Sequence, residues 1–250
     1  MHYKIAGILN VTPDSLSDGG LYYSSEEAVA HARKLISDGA HIIDVGADST
    51  RPGSVCVGAD EEIKRLERVL SELRKLNIPF GVDTHHGEVA RIALSFGAQY
   101  INDISGGYDH SLLEVVSEYN NAEIVLMHSR LISPHVFGED PVGDIVETIV
   151  KSLHSIVKRA ESYNIKKENI ILDTGMGGFI SSNPSHSFEL ISRYKEVTDD
   201  FSQKFMLGIS RKGFLGREKS IEEKDLLSKE LSLVPLKTGC VKYLRVHEVL

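Results

Sequence analysis

Cysteine is scarce in this chain. Its 250 residues include only two, Cys56 and Cys240. Two isolated thiols make neither a disulfide framework nor a zinc cage, so both are expected to be free and the compartment reducing. The opening stretch MHYKIAGILN has one lysine and an apolar run that stops at Asn10. That fits neither a signal peptide nor a membrane span, and the expected location is cytoplasmic. Basic charge is also in deficit, with 28 Lys and Arg against 36 Asp and Glu, a net charge of -8. A phosphate backbone needs a basic footprint, so nucleic acid is excluded as the main partner, although a small anion held by a few local cations is not. No linker rich in Pro, Gly or Ser and no low-complexity tract marks a boundary, so one domain spanning 1–250 is expected.

A hydrophobic content of 41% is enough for a sizeable core, and roughly 250 residues is the usual size of one (β/α)8 barrel. Apolar runs of strand length lie at 5–9, 42–45, 79–82, 100–104, 124–127, 170–172, 205–209 and 241–246. Between them, helical periodicity predicts helices at 26–36, 59–76, 88–96, 111–119, 142–163, 185–196 and 221–234. Ser24 or Ser25 would open the first and Gly39 stop it. In the second, Ile63, Leu66, Val69, Leu70 and Leu73 share a face. Strands that alternate with helices at this spacing fit a parallel α/β TIM barrel better than the runner-up, a doubly wound sheet. Little precedes strand one and no eighth helix follows strand eight, so one flank is expected to be bare and open to a neighbouring subunit.

In such a barrel the site lies at the carboxyl ends of the strands, and there the sequence turns polar. The first strand runs into Asn10 and the loop of Ile8 to Gly20. The second leads through Asp44 to Asp48-Ser49-Thr50-Arg51-Pro52-Gly53, and the third ends in Asp83. Asn102 and Asp103, His128, Asp173, Ser210-Arg211-Lys212, and Arg245 with His247 follow in turn. A lone Asp or Asn at a strand end usually caps a helix or pins a turn, but eight polar ends converging on one mouth point to a binding site. Asp83, Asn102, Asp173 and Lys212 supply the acceptors, amide fork and cation suited to a flat heterocycle carrying amino and carbonyl groups. Arg51, Arg245 and His247 suit an anion, and Asn10 is a neutral oxygen ligand that could join phosphate oxygens around Mg²⁺. Gly175-Met176-Gly177-Gly178 has the spacing of neither a dinucleotide fingerprint nor a P-loop. His85-His86 reads as a solvated turn, and Lys158, Arg159, Lys166 and Lys167 as a solvated helix face.

These residues fall in ordered motifs: ILNVTPDSLSDGG at 8–20, DSTRPGS at 48–54, VDT at 82–84, INDISGG at 101–107, LMH at 126–128, LDTGMG at 172–177, GISRKGF at 208–214 and RVHEV at 245–249. Taken together, they resemble the dihydropteroate synthases, pterin-binding barrel enzymes. The resemblance implies condensation of 6-hydroxymethyl-7,8-dihydropterin diphosphate with p-aminobenzoate, a step of folate biosynthesis. It implies that Asp83, Asn102, Asp173, Lys212 and Met127 hold the pterin. Thr50, Arg51, Pro52, Arg245 and His247 would serve p-aminobenzoate and the diphosphate, and Asn10 would bind Mg²⁺. Asp83, Lys212, Arg51 and Asp18 form the implied catalytic set, with Asp14 and Asp18 in the first loop. A homodimer is implied too.

The chain departs from the family pattern at named places. Thr174 stands where Pro is usual, and Gly178-Phe179-Ile180 replaces the commoner Phe-Gly-Lys. Leu16 replaces a frequent Phe and Gly213 a frequent Ser, and the N-terminal hairpin and last helix of the family are expected to be missing. Two other readings follow from these departures and from the barrel itself: a non-catalytic pterin-binding subunit, and a pterin-dependent methyltransferase. The diphosphate-suited Ser-Thr-Arg-Pro and Arg-Val-His motifs argue against the methyltransferase.

Overall fold

Every predicted strand forms, and each pairs in parallel with its neighbours. The computed structural model describes residues 3–11, 25–48, 57–133 and 136–249. The barrel strands are β1 (Lys4–Asn10), β2 (Ile42–Gly46), β3 (Phe80–Asp83), β4 (Tyr100–Asp103), β5 (Glu123–Met127), β8 (Ile170–Asp173), β9 (Lys204–Leu207) and β10 (Val241–Val246). They close in the order β1-β10-β9-β8-β5-β4-β3-β2. Between β5 and β8 the chain adds a short antiparallel hairpin, β6 (Leu131–Ser133) and β7 (Val136–Phe137), which periodicity did not predict.

Helices α1 (Ser25–Ser37), α2 (Ala59–Lys75), α3 (Gly87–Ser95), α4 (His110–Ser117), α5 (Ile145–Ser162), α6 (Pro184–Ser192), α7 (Tyr194–Thr198) and α8 (Ile221–Leu236) surround the barrel. The helix expected from Val142 begins three residues later. Gly143 sits at φ +93, and the Asp144 side chain caps the helix by accepting from the backbone N–H groups of Val146 and Glu147. The helix expected at 185–196 is two helices broken at Arg193, whose φ of -104 and ψ of 15 lie outside the helical basin. That break lets the Arg193 guanidinium reach Asp144, Glu189 and Glu196 together. In α2, Leu66, Val69, Leu70 and Leu73 are buried as periodicity requires, and Glu62 is buried with them.

Side chains alternate between the interior and exterior of the barrel, so residues two apart share a side. Ala6, Ile42, Tyr100, Val125, Ile171, Met206 and Tyr243 form a separate interior cluster. A Cβ at Gly81 would strike the Tyr100 ring, so the glycine makes room for that tyrosine. One step further toward the carboxyl ends, the interior positions are Ile8, Asp44, Asp83, Asn102, Met127, Asp173, Gly208 and Arg245. An apolar floor thus lies directly beneath a layer rich in charge.

Candidate active site

Strand register brings the predicted residues to one level. Asn10 lies beside Gly46, Gly46 beside Asp83 and Asp83 beside Asn102, while Met127 lies beside Asp173. Arg245 rises from β10 into their midst. Its Nη2 donates to Asp83 Oδ2 at 2.7 Å, and its Nε donates to Asp44 Oδ2. The other oxygen of Asp44 accepts from the Tyr100 hydroxyl at 2.9 Å.

Crowding of charge away from water shifts these groups. Burial pushes Asp83 up to about 7; the negative Asp44 and Glu62 add to that push, and Arg245 and Lys212 oppose it. Burial, aided by repulsion from Arg245, brings Lys212 down to about 8 despite the attraction of Asp173 and Asp83. Burial also works against the charge on Arg245, but Asp44 and Asp83 outweigh it, so the guanidinium is held above its ordinary range. Perturbed groups gathered at the mouth of a barrel mark a functional site.

Opposite Asp83, Asp173 is buried and raised by desolvation, and its Oδ1 accepts from Gly175 N at 2.8 Å. Gly175 has φ +67, and a Cβ there would come within 2.5 Å of the His128 carbonyl oxygen, so the turn requires glycine. The departures at 174–180 have visible consequences. Thr174 is fully buried, and the Phe179 ring lies under Lys212, with Nζ 4.5 Å from its centroid. His128 is buried and its imidazole drops to about 4, so it stands neutral at the end of β5.

Ser210, Arg211 and Lys212 separate into three roles. The Ser210 hydroxyl meets His247 Nδ1 at 2.9 Å and accepts from the His247 backbone N–H at 3.2 Å. Arg211 takes φ +56 and turns away, donating Nε and Nη2 to the two oxygens of Asp225 on α8 at 2.8 and 2.7 Å. Lys212 alone enters the mouth. Asp103 serves the fold, accepting from the backbone N–H groups of Ser105 and Gly107.

The structure corrects two readings. His85-His86 is not a solvated turn: His86 Nδ1 lies 2.9 Å from Oε2 of Glu62, whose side chain is fully buried, and this partner raises the imidazole. Arg159 is not merely solvated, since its Nη1 donates to Gly106 O at 2.7 Å; Lys158, Lys166 and Lys167 are exposed as expected. Asp14, Leu16, Asp18, Thr50, Arg51, Pro52 and Cys56 lie outside the described residues, as does Ser24. Asp44 and Ser210, named among the polar strand ends but given no role there, join the site, and so does Tyr100, which was not named. Only its shared alternation with Asn102 signals that Tyr100 faces inward.

The family of pterin binding enzymes matches the chain over residues 6–247, and the chain belongs to that family. A dihydropteroate synthase of Staphylococcus haemolyticus is 41% identical over 251 residues, covering 98% of this chain and 90% of its own length. The solved dihydropteroate synthase of Xanthomonas albilineans with 4-aminobenzoic acid superimposes with a TM-score of 0.88 at 32% identity, covering 99% of this chain and 88% of its own. That of Burkholderia cenocepacia, complexed with 7,8-dihydropteroate, gives 0.86 at 30% identity, with 99% and 86% covered.

Proposed function

We infer that the chain is a dihydropteroate synthase: a transferase that joins 6-hydroxymethyl-7,8-dihydropterin diphosphate to p-aminobenzoate, giving 7,8-dihydropteroate and pyrophosphate in folate biosynthesis. Residues 1–250 read as one pterin-binding barrel domain. The observation that carries the assignment to particular side chains is the charged layer at the barrel mouth, where Arg245 bridges Asp44 and Asp83 across from Asp173 and Lys212.

Asp83 and Asp173 accept from the amino-bearing edge of the pterin, Asn102 supplies both amide functions, Lys212 donates, and Met127 flanks the ring. The bond between the pterin methylene and the diphosphate oxygen breaks, with its electron pair leaving on the diphosphate. The arylamine nitrogen then bonds to the methylene and gives up a proton. The Asp83 carboxylate favours positive charge at the methylene. Arg245 and His247, with Arg51, stabilise charge growing on the leaving group, Thr50 and Pro52 complete the arylamine side, and Asp18 belongs to the catalytic set. No side chain needs to act as a nucleophile.

Mg²⁺ fits this mouth as a partner of the diphosphate. Asn10 offers a neutral oxygen, and the absent Cβ of Gly46 leaves space between Asn10 and Asp83; a Cβ there would lie 3.9 Å from Asn10 Oδ1. Mg²⁺ takes most of its ligands from phosphate and water, so one protein oxygen can suffice. When bound, it would supply positive charge to the departing diphosphate.

A homodimer is supported by α8, which buries Asp225, Ser228 and Ser232 but turns Ile221, Leu226, Leu233 and Val234 outward. The proposed location is the cytoplasm; among the described residues no helix is long and apolar enough to cross a membrane. The test is pyrophosphate release with Mg²⁺ and pterin diphosphate, with and without p-aminobenzoate. Release that requires the arylamine supports the synthase; tight pterin binding without release would point to a binding subunit.

A further inference from the structure

Branched aliphatic side chains usually fill a barrel of this kind. Here two tyrosines lie in the interior, Tyr100 fully buried and Tyr243 nearly so. Their rings lean together with centroids 5.1 Å apart, yet their hydroxyls serve opposite ends of the barrel. Tyr243 donates to Glu123 Oε2 at 2.9 Å, at the amino-terminal end. Tyr100 donates to Asp44 Oδ1, at the mouth. Burial drives the Tyr100 phenol well above its ordinary range, with Asp44 adding to the shift, so the hydroxyl remains protonated and able to donate.

The four side chains form a line. Tyr100 holds one oxygen of Asp44, the other oxygen holds Arg245 Nε, and Arg245 extends Nη2 to Asp83. A carboxylate can turn about its own axis unless both oxygens are engaged. With both engaged, the planar guanidinium beyond it is fixed in direction as well as in place. Gly81 supports this arrangement, because any side chain there would displace the Tyr100 ring.

We propose that Tyr100 is a positioning residue for diphosphate binding: its hydroxyl orients the Asp44 carboxylate, which in turn aims the Arg245 guanidinium at the anion. The inference rests on the reading of Arg245 as a diphosphate ligand. Tyr243 supplies an internal control, since Tyr243→Phe removes a hydroxyl from the same interior layer without touching this line.

The experiment measures Kd for pterin diphosphate with Mg²⁺ by calorimetry, alongside steady-state KM and kcat. It uses the full chain and its Tyr100→Phe, Tyr243→Phe, Arg245→Ala and Tyr100→Phe/Arg245→Ala variants. Loss of a hydrogen bond to a charged group predicts about a tenfold rise in Kd and KM for the pterin diphosphate in Tyr100→Phe. KM for p-aminobenzoate should hold, and Tyr243→Phe should leave Kd unchanged. In the Arg245→Ala background the Tyr100 change should add nothing. An unchanged Kd in Tyr100→Phe would overturn the proposal. So would an equal loss in Tyr243→Phe, or a tenfold effect that persists without Arg245. A normal Kd in Arg245→Ala would instead bring down the reading of Arg245 itself. Should Tyr100→Phe fail to fold, Asp44→Asn must show the same loss of affinity, and an unaffected Kd there would refute the proposal.

Discussion

Arg245 and Asp83 face each other across the barrel mouth, with Nη2 and Oδ2 2.7 Å apart. One of these groups is assigned to the diphosphate and the other to the pterin. On that proposal the two ends of the substrate would be recognised by side chains that bond each other in its absence, and binding would have to replace or share that contact.

Activity should depend on pH in a bell. Asp83 lies near 7, raised by burial, and Lys212 near 8, lowered by burial. Asp83 must lose its proton to accept from the pterin, so kcat/KM for the pterin diphosphate should climb as pH rises through about 7. Lys212 must keep its proton, so kcat/KM should fall again above about 8. A pH profile of Lys212→Arg, which cannot deprotonate in this range, should retain the acid limb and lose the alkaline one.

Lys212→Ala removes the lysine that enters the barrel mouth and leaves Asp173 without its attraction. A loss of about 10²–10³ in kcat is expected, the scale for removing one preorganised donor. Steady-state assay of the folded variant checks this, and unimpaired turnover would remove Lys212 from the pterin site.

Asp44 is fully buried and holds Arg245, which is 19% exposed. Asp44→Ala leaves that cation with Asp83 alone, and truncating one member of a buried pair costs roughly 3–5 kcal/mol. Denaturant unfolding should show a loss of that order. A loss under about 1 kcal/mol would mean that the pair is hydrated far better than its burial implies.

The outward leucines of α8 predict the effect of charge there. If the proposed homodimer packs through α8, Leu226→Glu and Leu233→Glu should convert it to a monomer in sedimentation while leaving the barrel folded, because Leu226 and Leu233 are 59% and 53% exposed. A native chain that sediments as a monomer, or a coefficient unchanged by the substitutions, would overturn the α8 interface.

The barrel itself could be read from the sequence because parallel strands buried on both faces appear as short apolar runs, and the polar residue ending each run marks the mouth. The placing of Asp83, Asn102, Asp173 and Lys212 at the mouth is legible this way. What escaped depends on contacts distant in sequence. Arg193 breaks a helix to reach Asp144, 49 positions away. Glu62 is buried within an acidic first turn that looks solvated, and its partner His86 lies 24 positions on. Tyr100 read as one more strand residue, because nothing local says that Gly81 clears a space for its ring or that Asp44 awaits its hydroxyl. Arg211 and Lys212 are neighbours of like charge, and only the positive φ of Arg211 sends one outward and the other into the mouth.

The most direct test of the account combines the purified chain, Mg²⁺, pterin diphosphate and p-aminobenzoate, and resolves the products by chromatography and mass, beside the Asp83→Ala variant. The account predicts 7,8-dihydropteroate and pyrophosphate in equal amounts from the native chain, and at least about a hundredfold less from the variant. A native chain that binds the pterin diphosphate but yields no dihydropteroate, or an Asp83→Ala variant that keeps its full rate, would contradict it.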